Sequence, residues 1–345
     1  MTRSAVVICP GRGTYNKAEL GYLKRHHADK AEFIGMVDDY RANHDQLAIS
    51  ALDGAERYSV GTFSRGDNAS PLIYACAYSD FLSIDRSRFE IVAVTGNSMG
   101  WYIALTCAGA LSPFGGMDVV NTMGTFMQES LIGGQLVYPF VDADWREIPG
   151  RRDDILEHVR LINARSHSSL YVSIELGGML VLAGNEEGLT ALETTLPRID
   201  QRFPMRLANH AAFHTPLQEP ISERGRAALG QGLFRQPDVA MVDGRGRIWY
   251  PWATDLTALG DYTLGHQVTQ TYDFTAAVHT SVREFAPDCL IVLGPGNTLG
   301  GAVAQSLISC GWDGLSGKAD FSARQASEPL LISMGLDEQR QWAVS

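Results

Sequence analysis

Two kinds of apolar pattern alternate along the chain. Short unbroken runs, Ala5-Val-Val-Ile-Cys9 and Cys289-Leu-Ile-Val-Leu293, each end at a glycine/proline loop. Runs of this length bounded by turn residues predict strands buried on both faces. Phe89-Glu-Ile-Val-Ala-Val-Thr95 reads the same way. Between them lie longer stretches with helical texture, near Ser70–Leu82, Met99–Ala110 and Asp118–Leu131. The texture changes at about Leu136. Leu136–Val141 reads as a strand, Arg152–Asn163 as an amphipathic helix, and Leu170–Ile174 and Met179–Ala183 as strands. Glu186–Leu196 is a helix and Met205–Ala208 a short strand. The last third predicts helices from Leu217, over Phe274–Phe285 and from Leu299, with a strand at Ile248–Tyr250. No internal repeat, low-complexity tract or long linker interrupts this order.

The β-α-β-β-α-β order from Leu136 to Ala208 is the split-βαβ, ferredoxin-like pattern. It interrupts an α/β region that resumes near Ala211. The predicted division is a catalytic core from residues 1–133 and 209–345, with a small subdomain over 134–208.

Composition narrows the functional classes. A chain of 345 residues can bury a large core in two lobes. Its 45% hydrophobic and 19% charged residues are ordinary for a globular protein. A net charge of −11 argues against a nucleic-acid groove. The five cysteines, at 9, 76, 107, 289 and 310, are scattered and odd in number, which predicts reduced thiols in a cytoplasmic protein. The apolar run at the N-terminus is too short for a secretory signal. No stretch approaches the length of about 18 apolar residues that spans a bilayer, so no membrane partner is expected.

The chemistry concentrates at Gly96-Asn97-Ser98-Met99-Gly100, which closes the predicted strand at Thr95 and opens a predicted helix. Strand, sharp turn and helix with serine at the apex is the nucleophile elbow. The glycines let backbone segments pass where a Cβ would collide. The helix N-terminus offers amide N–H groups to developing negative charge. Ser98 is therefore the candidate nucleophile. No metal-ligand spacing occurs, and no bound cofactor is expected.

Five landmarks then fall in order. These are Pro10-Gly-Arg-Gly13, the elbow, Met123-Gly-Thr-Phe-Met-Gln128, Ala211-Ala-Phe-His-Thr-Pro216 and Leu293-Gly-Pro-Gly-Asn297. Through them the chain, over roughly residues 4–307, resembles the malonyl-CoA:acyl-carrier-protein transacylases and the acyltransferase domains of polyketide synthases. The resemblance implies an α/β hydrolase-like core with an inserted ferredoxin-like subdomain, in agreement with the pattern read above. It also implies transfer of an acyl group between thioesters of coenzyme A and of phosphopantetheine, the latter on an acyl carrier protein supplied in trans. Such an enzyme serves fatty acid or polyketide biosynthesis.

The same resemblance assigns roles by position. His214 is the general base, and His210 is read as an ordinary histidine. Asp273 aligns with the residue that holds the base, which would complete a Ser-His-Asp triad; it also suits a helix N-cap before Phe274, and the two roles can coexist. The backbone amides of Arg12 and Met99 form the oxyanion hole. Asn97 and Phe213 line the substrate pocket. Met123 stands where malonyl-specific relatives carry an arginine that pairs with the free carboxylate. A thioether offers no donor, so an uncharged acyl group, acetyl or another monocarboxylic acyl, is expected. Two alternatives stay open: malonyl transfer with Arg12 supplying the missing cation, and hydrolysis of acyl carrier protein thioesters on the same fold.

Overall fold

The computed structural model describes residues 2–344 and contains two sheets. The larger is assembled from β1 (Arg3–Cys9), β2 (Phe89–Gly96), β7 (Ala240–Val242), β8 (Ile248–Trp249), β10 (Cys289–Val292) and β11 (Leu331–Ser333), in the order β11-β10-β1-β2-β7-β8. The smaller takes β3 (Gly134–Pro139), β4 (Leu170–Leu176), β5 (Met179–Gly184), β6 (Met205–Arg206) and β9 (Tyr272–Asp273), in the order β6-β3-β5-β4-β9.

The large sheet is parallel except for the β7–β8 pair. That explains the unbroken apolar runs, because helices cover a parallel sheet on both faces. Ala5 to Cys9 and Ile291 to Leu293 are completely shielded from solvent. The helix Gly100–Cys107 packs on β1 and β2, and Phe274–Phe285 packs on β2 and β7. The Gly66–Ser83 helix packs against Pro113–Ser130, and these two form one wall of the cavity described below.

The small sheet is antiparallel within residues 134–206. Its side chains alternate between two environments, as a pleated strand requires. Leu136, Tyr138, Leu180 and Leu182 pack with the helices Arg151–Asn163 and Glu186–Thr195. Val137 and Val181, between them, join the main core instead. A strand from outside the predicted insertion also enters this sheet: β9 pairs in parallel with β4 through Ile174↔Tyr272 and Glu175↔Asp273. Two residues are too short to announce a strand in sequence. Likewise unannounced were β7, β11 and the helices Ala31–Ala42, Lys318–Ser327 and Asp337–Ala343. Among the described residues no helix is long and apolar enough to cross a membrane.

Candidate active site

β2 ends in the turn that carries Ser98, and the helix Gly100–Cys107 begins two residues later. Ser98 holds a φ of 57°, the left-handed region that costs a non-glycine residue energy. The flanking glycines are required by contact. A Cβ on Gly96 would lie 2.3 Å from the Gly100 carbonyl oxygen, and one on Gly100 would lie 2.3 Å from that of Cys9. The loop after β1 is pressed against the same turn, since a Cβ on Gly11 would come within 2.7 Å of the Asn97 carbonyl.

His214 is buried and sits 2.7 Å from Ser98, Nε2 to Oγ. Its Nδ1 lies 2.5 Å from the main-chain carbonyl oxygen of Gln267. A carbonyl can only accept, so Nδ1 carries the proton and Nε2 presents its lone pair to the Ser98 hydroxyl. Burial, opposed in part by the Gln267 carbonyl, pulls the His214 pKa down to about 4. The imidazole is therefore neutral at pH 7 and in the tautomer that a general base needs.

This corrects the triad expectation for Asp273 and leaves its helix-cap expectation standing. Its carboxylate caps the Phe274–Phe285 helix, accepting from the Ala276 amide at 2.7 Å, and makes no hydrogen bond to His214. The residue that holds the base is Gln267, and it does so through its backbone. A main-chain acceptor leaves no side-chain signature, so residue type could not have revealed it. Gln267 is fixed from several sides. Its amide donates to the Ser98 carbonyl at 3.1 Å and its Oε1 accepts from Tyr102 at 3.0 Å. Just before it runs a π turn, Tyr262–His266, pinned by hydrogen bonds from Trp101 to Thr263 and from Ser222 to the Leu264 carbonyl. Such turns offset a helix by one residue and are common at functional sites.

Among the described residues neither the Met99 nor the Arg12 amide donates to a protein acceptor, so both are available to an oxyanion. Asn97 donates its amide to the Cys9 carbonyl at 3.0 Å, and its buried Oδ1 has no partner. Met123 is fully buried, with its sulfur against Gly225. Phe213 is buried beneath the Arg12 guanidinium, 5.3 Å from it to the ring centroid. Ser98, Arg12, Met123, Phe213 and His214 all line one pocket of about 390 Å³, partly open to solvent, whose walls include Val120, Met127 and Val268 together with Ser70, Tyr102 and Gln267. A wider groove of about 1360 Å³ reaches Ser98 from outside, between the elbow and the apolar face of the small sheet, including Val137, Ile174 and Val181.

His210 is not part of this pair. Its Nδ1 lies 2.7 Å from Gln135 Oε1, Gln135 donates to Ser173, and Ser173 donates to the Phe213 carbonyl. Burial, reinforced by the Arg12 charge, pulls its pKa down to about 3. Among the described residues no group of three or more His, Cys, Asp or Glu could hold a metal ion.

No family model matches the chain. Among curated proteins it is 27% identical over 306 residues to a phenolphthiocerol-synthesis type I polyketide synthase of Mycobacterium marinum, covering 87% of the chain but 13% of that synthase. It is 22% identical over 239 residues to the malonyl CoA-acyl carrier protein transacylase of Bacillus subtilis, covering 68% of the chain and 71% of that protein. Among solved structures, the malonyl-CoA:acyl carrier protein transacylase of Xanthomonas oryzae superposes with a TM-score of 0.75 at 18% identity, over 100% of this chain and 98% of that one. A malonyl-transacylase solved in complex with its type II polyketide synthase acyl-carrier protein gives 0.71 at 19% identity, over 89% and 93% of the two chains. The chain therefore resembles the malonyl-CoA:acyl-carrier-protein transacylases and polyketide synthases in sequence, and it has the transacylase fold, a mixed α/β architecture with two sheets.

Proposed function

We propose that this chain is a serine acyltransferase that moves a short acyl group between coenzyme A and acyl-carrier-protein thioesters through an acyl-Ser98 intermediate. The observation that carries this reading is the 2.7 Å hydrogen bond from Ser98 Oγ to the neutral His214 Nε2, on a strained turn facing both cavity and groove. Ser98 Oγ attacks the thioester carbonyl carbon while Nε2 takes its proton. The carbonyl oxygen becomes an oxyanion held by the Met99 and Arg12 amides, each such donor being worth about 3 kcal/mol. Collapse breaks the C–S bond, and the imidazolium returns its proton to the departing thiolate. A second thiol then repeats the sequence in reverse.

Among the described residues no carboxylate hydrogen-bonds His214, so the imidazolium is met by the Gln267 carbonyl dipole. A cation held this weakly gives its proton readily to the leaving sulfur, which suits a reaction that must run in both directions.

The groove is the route for a phosphopantetheine arm, its apolar wall excluding water from the thioester. The transacylase solved with its carrier protein supports an acyl carrier protein as partner in trans. No bound cofactor enters these steps; the thioester is substrate. The expectation of an uncharged acyl group, drawn from Met123, finds no support among these relatives, whose names specify malonyl. We take malonyl as the favoured acyl group.

We divide the fold into an α/β hydrolase-like core, residues 1–133 and 209–345, and a ferredoxin-like insertion over 134–208. The β6-β3-β5-β4 order supports the second half of that division. A cytoplasmic location fits the free, mostly buried cysteines. The test is intact-protein mass spectrometry after brief exposure to acyl-CoA. A mass increase of one acyl group that is absent in Ser98→Ala supports the transferase; free acid with no lasting adduct overturns it in favour of hydrolysis.

A further inference from the structure

Arg12 is the only formally charged side chain among the residues lining the Ser98 pocket. Its guanidinium spends one nitrogen on the protein: Nη2 donates to the Ser64 carbonyl at 2.5 Å and to the Asn209 carbonyl at 3.1 Å. Nε is buried and has no partner. Nη1 makes no hydrogen bond among the described residues, although it lies close enough to Gly66 to meet a Cβ there at 3.5 Å. No carboxylate of the described residues pairs with Arg12. The nearest acidic influence, Asp67, is committed to Arg65 at 2.7 Å. Burial pulls the Arg12 pKa to about 10, with Asp67 opposing, so the group remains a cation at neutral pH. Met123, Val120 and Met127, which line the same pocket, offer no donor and no acceptor of comparable strength.

A cation with two nitrogens unused and no carboxylate partner, lining the pocket that holds the nucleophile, is half of an ion pair. We propose that the Arg12 side chain binds the free carboxylate of a short dicarboxylic acyl thioester, and so selects malonyl-type over uncharged acyl groups. This rests on the acyl-transfer reading above. Arg12 carries both a backbone amide free of protein acceptors and a cationic side chain lining the Ser98 pocket, so under the acyl-transfer reading one residue can serve both the carbonyl and the carboxylate of a short dicarboxylic acyl group. An uncharged acyl group leaves the guanidinium without an anion, which disfavours it.

The experiment competes equal concentrations of malonyl-CoA and acetyl-CoA for wild type, Arg12→Gln and Arg12→Lys, reading the two adducts by intact mass. Wild type is expected to load mainly malonyl. Arg12→Gln should lower the malonyl-to-acetyl ratio by at least about tenfold, with Arg12→Lys in between, because an ammonium keeps the charge but not the planar donors. A ratio unchanged in both variants, or a wild type that loads acetyl and ignores malonyl, overturns the proposal while leaving acyl transfer intact. A wild type that loads neither overturns the transfer reading. The clamp is then judged by calorimetry in the Ser98→Ala background: it stands only if malonyl-CoA binds more tightly than acetyl-CoA and Arg12→Gln removes the difference. Arg12→Lys carries the comparison if Arg12→Gln does not fold.

Discussion

Two arginines in different regions of this protein, Arg340, which is buried, and Arg12, which is half-buried, have unlike surroundings. Beneath the C-terminal helix Asp337–Ala343, Arg340 donates to Asp80, to the Tyr22 hydroxyl and to the Met334 carbonyl. Asp80, completely buried, also accepts from His27, from Tyr22 and from the Gly294 amide. Burial works to raise the Asp80 pKa, but the His27 hydrogen bond and the Arg340 charge outweigh it and hold it below its usual value. In the cavity, Arg12 has two carbonyls, an aromatic face and no anion. Arg340 has a carboxylate partner, and the Asp80 network ties residues far apart in the chain together around that ion pair. Arg12 has no carboxylate partner among the described residues, which suits the incoming anion proposed above.

The predictions that break or sharpen this contrast begin with the nucleophile. Ser98→Ala should abolish acyl adduct formation from any acyl-CoA while the protein keeps its melting temperature; an adduct persisting in that variant would place the chemistry elsewhere. Next in size, Asp80→Ala strands Arg340 in the interior and should cost about 3–5 kcal/mol in urea denaturation. Arg12→Gln, which removes a charge with no protein counter-ion, should leave stability unchanged or raised. Equal destabilisation by the two would erase the distinction. In the Arg12→Gln background, Met123→Arg should restore malonyl loading relative to acetyl in part, because both positions face one cavity. Failure with the fold intact would separate them.

The fourth concerns pH. With His214 held to about 4 against an ordinary 6.5, the loading rate should stay flat as pH falls through 6.5 and decline only near 4, where Nε2 becomes protonated. The same depression means that the unfolded chain binds more protons below about 6.5. His214 and His210 therefore make the fold less stable as pH drops toward 4, which urea midpoints across that range would record. Smallest, Asp273→Ala should cost about 1 kcal/mol as a lost helix cap and leave the acid limb of the pH profile where it was. A shifted limb would return Asp273 to the histidine.

The elements legible in sequence were those with strong local signals. Buried parallel strands showed as unbroken apolar runs, the small sheet as a change to paired strands and amphipathic helices, and the elbow as glycines at both ends of a serine turn. Phe274–Phe285 was legible to the residue, its start marked by the cap at Asp273. What escaped were short pieces stabilised from a distance, such as β9 and β11. Two or three residues carry no periodicity, and their strand character comes from the neighbour they pair with.

Local chemistry in the chain determined which residues could react: the serine on its tight turn, the histidine in its landmark and the scattered thiols. Tertiary structure alone decided their relations. It set a backbone carbonyl behind His214 where sequence placed a carboxylate. It left Arg12, which the sequence reading held open as a carboxylate partner, lining the pocket with two nitrogens unused, and of the two roles open to Asp273 it kept the helix cap and not the triad. The physical reason is the same in each case. A carbonyl partner, an unpaired donor and a cavity wall are properties of what lies nearby in space, and residue type records only what a side chain is able to do there.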